Sequence, residues 1–455
     1  MSSGRKPPAW RSRVSALAVS PDGREVLVLP TERGWRLPRV EVEGYAEDDL
    51  RNAIRSLEEL LDEPVTILPY ASYARDETEK VLDVVYVLER LSSAVPPSDG
   101  RWVAPEVLGD LPFAVPEQRD RAADRLRELA DGIVPPKRVP WAREGWLVKA
   151  TAWIDESLAT RGRTRSGRVE QMRAWCLSTL LRVPTAEGTV FFKATAASPL
   201  FVDEGAVMEG LWRLFPDNVP APIARDRERR WMLLDDLGPE LGWDAPLEVR
   251  EDVLRLFARM QIESAGCVDE LLALGCVDRR LEWLAAEARE LLEDDAAFAG
   301  LDEGEAATLR ALGPKLEAMC LALAKTGVPE ALVHGDLHLS NVARVDGHYV
   351  FFDWTDAAVT HPFLDVIDVV FERDEAVRGR LRDAYLSMWL DFAPIDGLLE
   401  LWAVAEPLIS LNQAVSYRHI LANVEPGVGG ELEWALPYFL REVLASSGSQ
   451  ETSTT

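Results

Sequence analysis

Val333-His334-Gly335-Asp336-Leu337-His338-Leu339-Ser340-Asn341, joined a few residues later by Phe351-Phe352-Asp353-Trp354, is where residue types and spacing could do chemistry. An aspartate five residues before an asparagine on one tight loop can hold a carboxylate beside an incoming hydroxyl while the amide oxygen faces a magnesium ion. Phosphoryl transfer needs that pairing. Between the two segments, Val342–Val345 and His348–Phe352 read as short strands joined by Asp346-Gly347, a pair suited to the positive φ of a primed turn. The hairpin returns the chain to its start, delivering Asp353 beside Asn341 as a second oxygen ligand for a hard divalent ion.

His334-Gly335-Asp336-Leu337-His338-Leu339-Ser340-Asn341 resembles the catalytic loop of the aminoglycoside phosphotransferase and choline kinase-like family, distant relatives of protein kinases. Phe352-Asp353-Trp354 resembles the metal-binding segment of that family. The resemblance implies Asp336 as catalytic base, Asn341 and Asp353 as magnesium ligands, and ATP or GTP as phosphoryl donor. His361-Pro362-Phe363-Leu364-Asp365 is similar to the family's Pro-x-x-Asp segment, which implies that Asp365 buttresses the loop without touching substrate. The plain alternative is an exposed loop with a helix cap, since Asp, Asn and Ser favour such places for local reasons. Four fixed residue types together with the hairpin favour the site.

Elements upstream must supply the phosphate contacts. Leu177–Val183 and Thr189–Thr195 read as antiparallel strands, and the second carries Lys193 behind two phenylalanines. Seven lysines among fifty basic residues make arginine the default cation here, and an ammonium half-buried on a sheet needs an anionic partner. Nucleotide phosphates or a helix glutamate would serve. Glu204 opens a helix with Val207, Met208, Leu211 and Trp212 on its apolar face; Glu209 is the alternative partner on the same helix. The pair resembles the kinase-like strand lysine and helix glutamate, which implies that Lys193 holds the α- and β-phosphates; a lysine snorkelling to a solvent edge is the bland reading. The turn Trp175-Cys176-Leu177-Ser178 lacks the family's phosphate-covering glycine, leaving the Ser178 hydroxyl as a weaker phosphate contact. Trp231–Gly238 resembles the interlobe hinge that binds the purine edge through its backbone, placing Asp235 and Leu237 beside the nucleotide.

Ahead of these, Val14–Leu29 reads as a hairpin around Pro21-Asp22-Gly23, and Glu47–Leu61 as an amphipathic helix with Leu50, Ile54, Leu57 and Leu61 on one face. Strands follow at Val65–Pro69 and Val81–Leu88. This order resembles a Nudix hydrolase domain with Glu58 and Glu59 as the helix pair, but the Gly-rich entry is replaced by Arg39-Val40-Glu41-Val42-Glu43 and no glycine ends the helix. Adjacent carboxylates on a helix point in different directions, so the domain is read as Nudix-like without hydrolysis.

The sequence predicts an α+β protein: an α/β Nudix-like domain at residues 1–133, a linker and helix at 134–168, a kinase-like small lobe at 169–238, a helical large lobe at 239–445, and a disordered polar tail at 446–455. Seventy-seven acidic against fifty basic residues give a net charge of −27, which disfavours nucleic acid or an anionic membrane as partner and would suit a cationic substrate. Four cysteines are too sparse for a disulfide scaffold, and Met1–Arg13 has no apolar core of signal length, so a cytoplasmic protein is expected. Asp356, Asp368 and Glu372 are candidates for a cationic substrate, although each also reads as a solvated face, and His419 reads as structural. The leading reading is a magnesium- and ATP-dependent transferase acting on a hydroxyl of a small molecule of amino sugar or aminoglycoside type. The competing readings are a non-catalytic nucleotide or metabolite sensor, and a nucleotide hydrolase working through the first domain.

Overall fold

The computed structural model describes residues 10–93, 95–97 and 99–448, and the chain forms two compact units. The first is built from the chain up to Ala196 together with Asn423–Glu431; the second is built from Ala197–Ala422 and the chain from Leu432 onward. Sheets dominate the first unit and helices the second, an α+β arrangement.

In the first unit β1 (Arg11–Leu17), β2 (Val26–Thr31), β3 (Gly34–Arg36), β4 (Arg39–Glu43), α1 (Arg51–Leu61), β5 (Ile67–Asp76), β6 (Val81–Leu88), β7 (Arg101–Val103), α2 (Pro105–Leu108) and α3 (Pro116–Asp131) come first. They make a mixed sheet in the order β4-β1-β6-β5 and a smaller one in the order β3-β2-β7. Burial with a period of two shows why the mixed sheet is covered on both sides. Leu82, Val84 and Tyr86 face Leu50, Ile54 and Leu57 at α1, whereas Val85 and Val87 face Ala122 and Leu126 of α3. The expected hairpin over Val14–Leu29 is corrected here. The chain does turn at Pro21–Gly23, but only the Val19–Val26 bridge joins its arms. β1 instead pairs antiparallel with β4 and parallel with β6, and β2 pairs with β3 and β7, because long-range partners outweigh the local turn.

α4 (Trp146–Ala159), β8 (Glu170–Ala174), β9 (Ser178–Thr185) and β10 (Gly188–Thr195) complete this unit. β8–β9–β10 is an antiparallel meander, with Lys193 opposite Leu180. Gln171 docks the meander onto β5: its amide accepts from the Ile67 N–H at 2.9 Å and donates to the Ile67 carbonyl at 2.7 Å, as a neighbouring strand would. The Arg-rich loop at 161–168 is anchored, since Arg165 pairs with Asp155 at 2.8 Å and Arg168 donates to Glu58 at 2.6 Å.

The second unit contains α5 (Glu204–Leu214), β11 (Ala224–Asp226), β12 (Trp231–Asp235), α6 (Leu247–Ser264), α7 (Val268–Leu274), β13 (Val277–Asp278), α8 (Leu281–Glu293), α9 (Glu303–Leu323), β14 (Ala331–Val333), β15 (Val342–Val345), β16 (His348–Phe351), β17 (Ala358–Thr360), α10 (Ile367–Val370), α11 (Glu375–Leu386), α12 (Ile395–Asn423) and α13 (Ala435–Gly448). One core gathers α8, α9, α11, α12 and α13 around Phe363, Tyr385 and Trp389. A second packs Leu337, Leu339, Val342, Phe351 and Trp354 against Phe257 of α6 and Met208 of α5, which makes the floor of the loop rigid. α9 begins at a reciprocal cap, the Glu305 N–H donating to Asp302 at 2.8 Å and the Asp302 N–H to Glu305 at 3.0 Å. The expected tail is corrected in part: Ser446–Gly448 continue α13, and residues 449–455 lie outside the described residues. All four cysteines are free, and among the described residues no helix is long and apolar enough to cross a membrane.

Candidate active site

β14 leads into the loop, and the hairpin β15–β16 leaves it with Val342 opposite Phe351 and Val345 opposite His348. Asp346 and Gly347 take φ of 49° and 89° at its turn, the primed geometry that Asp-Gly favours. The Phe352 N–H then donates to the Asn341 carbonyl at 3.0 Å, so the chain does return to its start.

Asp365 organises the loop from outside. Its two carboxylate oxygens accept from the backbone N–H groups of His334 at 2.5 Å and Gly335 at 2.8 Å. Burial pushes the Asp365 carboxyl up to about 8, against the pull of those two donors and of Arg279. Gly335 is held at φ 84°, where a Cβ would stand 2.5 Å from the Asp356 carbonyl oxygen, so only glycine fits. His334 is fully buried, its Nε2 donating to the Phe352 carbonyl at 2.9 Å and its ring lying on Trp354.

Asp336 points outward with 54 % of its side chain exposed, as a base must to meet a substrate. Its carboxylate stands 3.5 Å from His338 Nε2. Partial desolvation at the loop works to raise its pKa, but the His338 contact draws it below the usual carboxylate range. Asn341 donates from Nδ2 to the Asp336 carbonyl at 2.9 Å, which fixes the amide and leaves Oδ1 as an acceptor. Asp353 adopts a left-handed φ of 65°, a conformation aspartate tolerates better than most residues. The Thr355 hydroxyl lies 3.1 Å from Asp353 and 3.0 Å from Glu204, donating to one at a time. Carboxylate and amide oxygens suit magnesium, so the chemistry of the donor set of Asn341 and Asp353 fits that ion.

Glu204 and Glu209 separate clearly. Glu204 is 2 % exposed beside Thr355, whereas Glu209 pairs with Arg213 and Arg225, each at 2.7 Å. Lys193 sits half-buried on β10 in the first unit, where Ser178 also lies, its hydroxyl accepting from the Trp175 indole at 2.7 Å. Asp235 ends β12, and Leu237 follows it in the connection to α6. Of the substrate candidates, Glu372 is taken by Arg250 at 2.7 Å. Asp356 lies 3.7 Å from Arg279. Burial raises Asp368 to about 6. His419 pairs with Glu287 at 2.7 Å and stacks on Trp283, a structural role.

Sequence reasoning does not reach two residues that contact the loop, Trp243 and Gln413, or the buried Arg279. Trp243, 66 % exposed, stacks on His338 at 5.0 Å, and its setting in Gly242-Trp243-Asp244-Ala245-Pro246 was the only sign of it. Gln413 of α12 donates to the Gly335 carbonyl at 3.1 Å. Arg279 is buried, donating to the Ser416 hydroxyl and to the Leu200 carbonyl.

His361 supports a pH prediction. It is 3 % exposed, its Nδ1 accepts from the Phe363 N–H at 3.3 Å, and its Nε2 is buried without a partner, so burial lowers its pKa to about 3. The unfolded chain therefore binds the proton first as pH falls. The stability that neutral His361 permits is present above about pH 6.5 and is lost progressively towards pH 3, by up to a few kcal/mol. Acid unfolding of His361→Gln is expected to be shallower over that window, which denaturant melts at stepped pH would measure.

Residues 185–405 match the model of the family described as "Phosphotransferase enzyme family". The match supports a phosphotransferase-like fold over that stretch and, in general terms, kinase-like enzymatic activity. Among solved structures the chain is similar to a GDP complex of an aminoglycoside 2′-phosphotransferase-IIIa mutant, at 14 % identity over 68 % of this chain and 99 % of that one, with a TM-score of 0.49. It is also similar to choline kinase LicA from Streptococcus pneumoniae, at 13 % identity over 65 % and 99 % of the two chains, TM-score 0.49. The macrolide 2′-phosphotransferase MphH from Brachybacterium faecium gives 18 % identity over 62 % and 98 %, TM-score 0.41. No curated protein matches the chain.

Proposed function

We propose that the chain is a magnesium- and ATP-dependent phosphotransferase acting on a hydroxyl of a small molecule of amino sugar or aminoglycoside type. The observation that carries this reading is the loop itself: an outward-facing Asp336 carboxylate on a backbone fixed by Asp365, Asn341 and Gln413. Asp336 accepts the substrate hydroxyl proton or orients the hydroxyl towards the γ-phosphorus, and its lowered pKa keeps it ionised at neutral pH. Asn341 Oδ1 and Asp353 would hold magnesium, which supplies charge neutralisation to the transferring phosphates. The single Thr355 hydroxyl proton positions either Asp353 or the buried Glu204, whichever accepts it. Lys193 is assigned to the α- and β-phosphates and Ser178 to a phosphate oxygen on their strand settings, and the backbone near Asp235 and Leu237 to the purine, with GTP as the other donor to test.

The exposed face of Trp243, beside the base in a chain of charge −27, supports a cationic or flat-ringed acceptor. Trp243→Ala is expected to raise KM for such an acceptor roughly fivefold with a smaller change in kcat, since a cation–π or stacking contact is worth about 1 kcal/mol. Initial rates over a range of acceptor concentration would show this.

The domain division at 1–133, 134–168, 169–238 and 239–445, and a Nudix-like first domain without hydrolysis, belong to the same proposal. Glu58 supports the second point, because it accepts from the Val65 N–H at 3.1 Å and from Arg168 at 2.6 Å, work that ties α1 to its neighbours. The absence of glycine from the turn at 175–178 favours the sensor as second reading. Thermal shift with ATP and with GTP, each with and without magnesium, tests nucleotide binding: stabilisation that needs the metal is expected, and none with either nucleotide would sink both readings.

A further inference from the structure

The first unit holds a cavity of about 450 Å³ that the transfer chemistry does not use. Leu17, Leu68, Val87, Val139, Pro426 and Val428 supply its apolar wall, drawn from the mixed sheet, the proline-rich segment and the returning segment Asn423–Glu431. Five cationic side chains line it against four carboxylates, although the whole chain carries a charge of −27. A cationic excess in such a chain is a local feature, not an echo of composition.

Ion pairs absorb part of that charge. Arg138 is clamped between Glu128 at 3.0 Å and Glu425 at 2.8 Å, and Arg127 meets Asp124 at 2.7 Å. Two guanidinium groups are less well served. Arg121 makes no ion pair among the described residues, and its Nη1 would lie 3.3 Å from a Cβ at Gly427, so that glycine leaves it room. Arg125 has 10 % of its side chain exposed, meets Glu128 and Glu144 only at 3.3 Å, and keeps a buried Nε with no partner. A buried N–H without an acceptor costs free energy that an anion would recover, and guanidinium forks suit flat or tetrahedral oxyanions.

We propose that this cavity binds a small organic anion, a carboxylate or phosphate monoester on a flat apolar body, with Arg121 and Arg125 meeting the anionic head. The volume is that of an ordinary small-ligand site, and the apolar wall opposite the arginines accounts for the body. The cavity belongs to the first unit and the loop at Asp336 to the second, and the proposal does not depend on the transfer reading.

Isothermal titration of the full-length protein with phenyl phosphate, benzoate and benzyl alcohol tests it. One-site binding of at least one anion, no saturable heat from the alcohol, at least tenfold weakening in Arg121→Glu and full retention in Asp336→Ala are expected. The two anion arms tell phosphate from carboxylate. Ala71→Phe, which fills the cavity from β5, should block binding in the same way, with melting curves confirming that each variant is folded. No saturable binding of either anion, equal binding of the alcohol, unchanged affinity in folded Arg121→Glu or Ala71→Phe, or loss in Asp336→Ala would each overturn the proposal.

Discussion

Asp353→Asn is expected to lower kcat by roughly 10²- to 10³-fold and to abolish the magnesium dependence of nucleotide binding, because several kcal/mol of transition-state charge stabilisation is at stake. The substitution separates chemistry from folding. Asparagine tolerates the left-handed φ of 65° and still offers an oxygen to the Thr355 hydroxyl at 3.1 Å, so the backbone has no reason to move. Only the charge is removed. Steady-state rates across a magnesium titration, with a melting curve as control, would show a folded protein that no longer responds to the metal. A variant with wild-type rates and wild-type metal response would remove Asp353 from the site.

Gly335→Ala acts on the opposite side of that distinction, through folding. Its Cβ would meet the Asp356 carbonyl oxygen at 2.5 Å and the Asp356 Cβ at 2.7 Å, and its φ of 84° is strained for any L side chain. Relief requires the backbone to shift, and a shift breaks the 2.8 Å bond to Asp365 that fixes the loop. A loss of roughly 2 to 4 kcal/mol from the second unit is expected, accompanied by loss of transfer activity. Urea denaturation read by tryptophan fluorescence would measure it, since Trp354 lies in the core beneath the loop.

What the sequence discloses of this site is what lies close together along the chain. Asp336, Asn341 and Asp353 fall within eighteen residues of one another, and the Asp346-Gly347 turn between them is written in local backbone preference. The face of α1 formed by Ile54, Leu57 and Leu61 follows likewise from helical spacing. Gln413 and Trp243 reach the loop from 78 and 95 positions away in sequence, the buried Arg279 lies 55 positions before His334, and none carries a local mark of its role. β1 misled for the same reason: an apolar stretch beside a Pro-Asp-Gly turn reads as one arm of a hairpin, and nothing near it announces β4 and β6 as its partners. Glu425 shows the limit most plainly, because it reaches Arg138 across 287 positions and closes a wall of a cavity that no motif predicts.

Transfer of label from γ-labelled ATP to a panel of hydroxylated amines, run with wild type and Asp336→Ala side by side, bears most directly on the central claim. The wild-type protein should phosphorylate at least one acceptor in the presence of magnesium. Asp336→Ala should bind Mg·ATP as before yet transfer about 10²- to 10⁴-fold more slowly, the contribution of a positioned base. Transfer at the wild-type rate by Asp336→Ala would contradict the mechanism.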